Sequence, residues 1–110
     1  MRLPNAEQAI IPPAKLRDYL LNEENPRGRP KAVFLAKLGF RREQWMVLEA
    51  ALRADHLTAD AEEVQGNQFG RKFRIVAPIM GPPDETAIIK SIWIVRHGED
   101  IPRLVTAYPE

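Results

Sequence analysis

The chain contains no cysteine, only two histidines, and 7% aromatic residues. Without cysteine there is no disulfide framework and no thiolate to act as nucleophile or metal ligand. The histidines, His56 and His97, lie far apart and neither has a partner at ligand spacing, so neither a zinc site nor any other cofactor is expected. An excess of one charge is also missing: 16 Lys and Arg against 15 Asp and Glu leave a net charge of +1. Whole-molecule attraction to nucleic acid is therefore weak, DNA is not an expected partner, and any electrostatic function must come from how the charges are distributed. No apolar run approaches a membrane span of about 20 residues. The start "MRLPNAEQAI" has no secretory hydrophobic region, so the expectation is a soluble, cytoplasmic protein with no membrane partner.

At 110 residues the expectation is one domain, residues 1–110, with a single core. The ten prolines fall mainly at the ends of the expected elements, where they punctuate the chain without forming a linker. A first helix opens near Pro13, a residue suited to a first turn, and runs through "AKLRDYLL", with Leu16, Tyr19 and Leu20 on its apolar stripe. "NEENPRG" ends it. A second helix starts around Pro30, buries Ala32, Leu35 and Ala36, and stops at Gly39. A third runs from about Arg42 to Asp55 with Trp45, Leu48 and Leu52 on one stripe.

After His56 the period changes. "LTADAEEVQGN" alternates poorly and reads as a linker or a weak edge strand. "KFRIVAPIM" sets Phe73, Ile75 and Ala77 against Arg74 and Val76, and "GPPDE" is a turn. "TAIIKSIWIVR" is a long strand with Trp93 in the core, and "PRLVTAY" is the last strand after "HGED". The fold class is α+β: two or three N-terminal helices packed on a three- or four-stranded antiparallel sheet.

The cations are unevenly placed. "NPRGRPK" puts Arg27, Arg29 and Lys31 at the start of the second helix, where the backbone dipole is positive and added positive charge costs roughly 0.3–1 kcal/mol. Gly28 permits a turn that could aim backbone N–H groups inward, so loop and helix start could cradle a phosphate; alternatively Glu23, Glu24 or the acidic stretch from Asp60 to Glu63 supplies the missing charge, or water simply screens it. A second basic cluster is Arg71, Lys72 and Arg74. His56, at the end of the third helix, could act as a general base or could simply suit the negative end of the dipole. Thr106 and Tyr108, two apart, share a face of a regular strand, where their hydroxyls could orient a phosphate or Tyr108 could pack. Arg103, three before Thr106, falls on the opposite face of a regular strand.

The blocks "LPNAEQAIIPPAKLRDYLLNEENPRGRPKAVFLAKLGF", "FGRKFRIV" and "IWIVRHGEDIPRLVTAYP" resemble a family of functionally uncharacterised small bacterial domains. Its pattern is an early PNA, a PxGxxKAxxF…LG block and a closing W…GEDxPRLvTxY. Asn25 stands where that family commonly has His, Pro30 precedes Lys31, and Phe73 stands where Tyr is frequent. The order of elements is similar to the ribonuclease fold of barnase, EndoU and RelE-like toxins, some of which work with Lys, Arg and Tyr alone. That resemblance implies RNA as ligand and a small antitoxin-like cognate protein as partner. Cleavage of RNA by its own 2′-hydroxyl needs cations for the phosphorane and a proton shuttle, and Lys31, Arg74, Thr106 and Tyr108, with His56, are the candidates. The expected function is a metal-independent RNA-cleaving toxin. The alternatives are a non-catalytic partner or immunity-like protein, and a small-anion binder.

Overall fold

The computed structural model describes residues 1–110. The alternation read in "KFRIVAPIM" becomes strand β2 (Gly70–Gly81), whose residues Phe73, Ile75, Ala77 and Ile79 are buried while Val76, Pro78 and Met80 are exposed. It pairs along its whole length with β3 (Glu85–Arg96), which buries Ile89, Ser91, Trp93 and Val95 on the same side. The weak segment forms β1 (Glu62–Asn67) and the last strand is β4 (Arg103–Pro109), giving an antiparallel sheet in the order β1-β2-β3-β4. β1 was hard to read because it is an edge strand with almost no buried residue, so no periodic burial marks its sequence.

Three helical runs cover one face of this sheet. Helix α1 (Pro13–Lys15) continues without a break into a π-helical turn, Leu16–Leu20, in which Leu21 N–H donates to Leu16 O across five residues at 2.8 Å. Helix α2 (Arg29–Lys37) has Pro30 in its first turn. It ends before Gly39, whose φ of 97° is a conformation that side chains rarely adopt and whose absent Cβ leaves room for Pro82 O. A short 3-10 turn, Arg42–Gln44, leads into α3 (Trp45–Ala51), which also closes in a π turn, Leu52–His56. Leu16, Leu20, Leu35, Leu48 and Leu52 from these helices pack on Phe73, Ile75, Ile79, Ile89 and Trp93 from the sheet in one hydrophobic core. Each such side chain, fully buried, contributes about 1.5–3 kcal/mol. No helix is long and apolar enough to cross a membrane.

Two features position the site. The N-terminal stretch runs along the free edge of β4: Ile10 N–H donates to Pro102 O at 2.9 Å and Leu104 N–H to Ile10 O at 3.0 Å. Further along, β4 carries a bulge. Ile92 opposes Thr106 whereas Trp93 opposes Leu104, which leaves Val105 as the extra residue.

Candidate functional site

The face of the sheet turned away from the helices carries three cross-strand rows. Lys72, Ile94 and Arg103 form one; Arg74, Ile92 and Thr106 the next; Val76, Lys90 and Tyr108 the third. The bulge corrects the expectation for Arg103. Because one extra residue is inserted before Thr106, Arg103 and Thr106 oppose Ile94 and Ile92 and so lie on the same face, not on opposite ones.

At the β4 side, helical and sheet residues meet around one phenol. Tyr19 sits in the π turn, where the widened ladder re-aims side chains. The Lys31 ammonium donates a hydrogen bond to the Tyr19 Oη, and its nitrogen lies 4.9 Å from the ring centroid. Lys15, one turn earlier on the same helix, places its ammonium 5.5 Å from the same ring. Thr106 brings its hydroxyl to the phenol from β4 without completing a well-formed bond, and its Oγ1 is the one buried side-chain polar atom that has no hydrogen-bond partner. Partial burial pushes the phenol's pKa up, but the Lys31 hydrogen bond, the Thr106 hydroxyl and the charges of Lys31 and Lys15 together outweigh it and hold Tyr19 below its ordinary value of 10.0.

No carboxylate offsets this positive environment. Asp18, adjacent to Tyr19, is committed to Arg17 at 3.1 Å and to Arg42 at 3.3 Å. Those guanidiniums, Arg17 first, hold the Asp18 carboxyl below its usual range. The acidic stretch is engaged elsewhere: Glu63 makes a two-point pair with Arg71 at 2.9 and 3.0 Å, and Glu62 pairs with Arg74. The charges in "NPRGRPK" are therefore not neutralised from within the chain, since neither Arg27, Arg29 nor Lys31 has an acidic partner and Glu23 and Glu24 make no ion pair.

The backbone of that loop differs from a phosphate cradle. Asn25 Oδ1 accepts from Arg27 N–H at 3.0 Å and Gly28 N–H at 3.3 Å, so the groups expected to face an anion already cap the loop. Gly28 has φ −89°, a conformation open to any residue. Its glycine is required by proximity instead, because a Cβ there would stand 2.2 Å from Tyr19 O. Gly28 thus lets the start of α2 press against the π turn and brings Lys31 within reach of Tyr19. Arg27 and Arg29 are exposed beside it.

Among the remaining candidates, Lys72 is on the outer face with no acidic partner, and Tyr108 stands opposite Lys90, whose ammonium is 6.0 Å from the ring centroid. His56 is elsewhere. It is fully buried on the helix-covered face, its Nε2–H donating to Ala77 O at 3.1 Å and its Nδ1 accepting from the Ser91 hydroxyl at 2.8 Å. Ser91 Oγ in turn accepts from Trp93 Nε1–H at 2.8 Å. Both ring nitrogens are used inside the core, so a proton-shuttling role for His56 is set aside. The dipole rationale is likewise replaced: a core hydrogen-bond network places this residue.

The structure therefore joins Lys31 and Thr106 through a residue that sequence reading assigned to the apolar stripe, Tyr19. The available signal was its four-residue spacing from Lys15, which puts a cation over an aromatic ring on one helix face. Lys15 also lines a groove of about 650 Å³ together with Lys72, Arg96 and Arg103, which links the tyrosine to the basic end of the outer sheet face.

Comparison with curated proteins and with solved structures finds no match in either. A family model does match, across residues 2–110, and the chain belongs to that family, a domain of unknown function (DUF6883).

Proposed function

We propose that this protein is a metal-independent RNA-cleaving domain of the bacterial toxin type, with Tyr19 and Lys31 as its proton-transfer pair. The observation that carries the reading is the Tyr19 phenol, hydrogen-bonded by the Lys31 ammonium and with the Lys15 ammonium 5.5 Å from its ring centroid, at the edge of a basic sheet face. The ionised phenol takes the proton of a ribose 2′-hydroxyl, whose oxygen attacks the adjacent phosphorus. Lys15 stabilises the charge that develops on the phosphorane oxygens, while the buried Thr106 hydroxyl acts on the phenol. The bond to the 5′-oxygen breaks as the Lys31 ammonium donates its proton to that leaving oxygen, giving a 2′,3′-cyclic phosphate and a 5′-hydroxyl. Tyr19, now neutral, returns the proton to Lys31 through their hydrogen bond and resets the pair. The groups around the phenol are ammonium and hydroxyl, with no carboxylate to hold a divalent cation, so the chemistry assigned to them is proton transfer and electrostatic stabilisation.

The test is incubation of the purified protein with unstructured RNA in excess chelator. The reading expects fragments ending in 2′,3′-cyclic phosphate, lost by at least about 100-fold in Tyr19→Phe and in Lys31→Met, as removal of a general acid or base requires. Intact RNA with the folded parent protein refutes it.

A second reading, a protein that acts by binding a small cognate partner, is supported by the other end of the outer face. There Val76, Met80 and Ile88 are 45–53% exposed and form an apolar patch beside the β2–β3 hairpin. A stoichiometric partner on co-expression, without RNA cleavage, would select it.

A further inference from the structure

The groove beside Lys15 has a floor and walls that the cleavage chemistry does not use. It lies between the β1–β2 turn and β4, and Phe69 projects from that turn with 62% of its surface exposed. The backbone that carries this exposed aromatic side chain is hydrogen-bonded on both sides. Phe69 N–H donates to Asn67 Oδ1 at 2.8 Å, and Phe69 O accepts from His97 N–H at 3.0 Å, so the backbone is pinned on both sides. Asn67 still has its side-chain NH₂ free and Gln68 its whole amide. Around them stand Lys15, Lys72 and Arg96, none with an acidic partner, and Arg103, which shares Glu99 at 3.4 Å. No carboxylate lines the groove.

We propose that this groove is a subsite for one unpaired nucleobase, stacked on Phe69, with the flanking phosphates on Lys72, Arg96 and Lys15, and that the substrate class is therefore single-stranded RNA. The inference rests on the RNA-cleaving reading above. A base in a duplex has both faces covered by its neighbours and cannot present one to Phe69, whereas an unpaired base can. Stacking of this kind tolerates any base, and the cations track the backbone on either side. Lys15 belongs to both the groove and the Tyr19 cluster, so a strand seated on Phe69 passes the phenol.

The test is fluorescence anisotropy with a single-stranded 2′-O-methyl RNA octamer, which has no free 2′-hydroxyl to attack, and with the same sequence as a blunt duplex. Cleavage of the unmodified octamer is followed in parallel. The parent is expected to bind the single strand at least about tenfold more tightly than the duplex. Phe69→Ala should weaken single-strand binding by roughly 5- to 150-fold, the range that loss of one stacked base produces, and Phe69→Trp should restore it. Because Phe69 is exposed, neither variant threatens the core. Equal binding of duplex and single strand, or unchanged binding by Phe69→Ala, overturns the subsite while leaving intact a parent that still cleaves RNA. A parent that neither binds nor cleaves either form overturns both readings.

Discussion

Ser91→Ala removes one oxygen from the middle of the sheet and should cost far more than its size suggests. Ser91, His56 and Trp93 are each 0% exposed, and the Ser91 hydroxyl gives its proton to His56 Nδ1 while accepting the Trp93 indole N–H, both at 2.8 Å. The substitution leaves an acceptor and a donor unpaired at once. Each buried orphan costs about 1–3 kcal/mol, so the pair costs about 2–6 kcal/mol against a total stability of about 5–15 kcal/mol for a domain of this kind. Urea unfolding followed by Trp fluorescence measures it directly: the midpoint should fall by that energy divided by an m-value that the mutation does not change. A fall below about 1 kcal/mol for Ser91→Ala would mean that the network is not a closed unit and that His56 is free for other work.

Stability should also depend on pH through His56, which burial holds below its ordinary value of 6.5 against the opposing influence of Ala77 O and Asp55. The unfolded chain takes up a proton below that value and the folded one does not. His56 therefore contributes stability that is present above pH 6.5 and lost as pH falls toward the folded-state pKa, at up to about 1.4 kcal/mol per unit, and His56→Gln should flatten the urea midpoint between pH 7 and 5 relative to the parent. Gly28→Ala places a methyl 2.2 Å from Tyr19 O, so α2 must retreat from the π turn at a cost of about 1–3 kcal/mol. Because that retreat carries Lys31 away from Tyr19, cleavage measured well below the melting temperature should fall more steeply than stability, and a variant that melts and cleaves like the parent contradicts the role given to Gly28.

What the sequence carried and what it did not follow from period and distance. Alternation over β2 and β3 was legible because one face is buried and the other is not, and Pro13, Pro30 and Gly39 marked helix ends through their own backbone preferences. The four-strand sheet was legible only as an option, because β1 buries nothing in a regular pattern. Lys31 and Thr106 were legible as polar residues near element ends. Their meeting was not, because it depends on the π turn that follows α1 and on a bulge at Val105, and neither leaves a periodic trace. His56 misled for a related reason: its burial is set by Ser91 and Ala77, distant in the chain and silent in composition. Whether the cations of "NPRGRPK" are compensated by Glu23, Glu24 or the stretch from Asp60 to Glu63 stayed open in the sequence, because ion pairing depends on contacts that composition does not fix, and the structure pairs Glu62 and Glu63 with Arg74 and Arg71 instead; the role of Gly28 likewise lies in a close approach that only three dimensions reveal.

The most direct measurement is the ionisation of Tyr19 itself, read by ultraviolet titration of Tyr108→Phe, which leaves Tyr19 as the only tyrosine. The expected result is a phenol that titrates below 10.0 and moves upward when Lys31→Met is added. A Tyr19 that ionises at or above 10.0, or one indifferent to Lys31, contradicts the account.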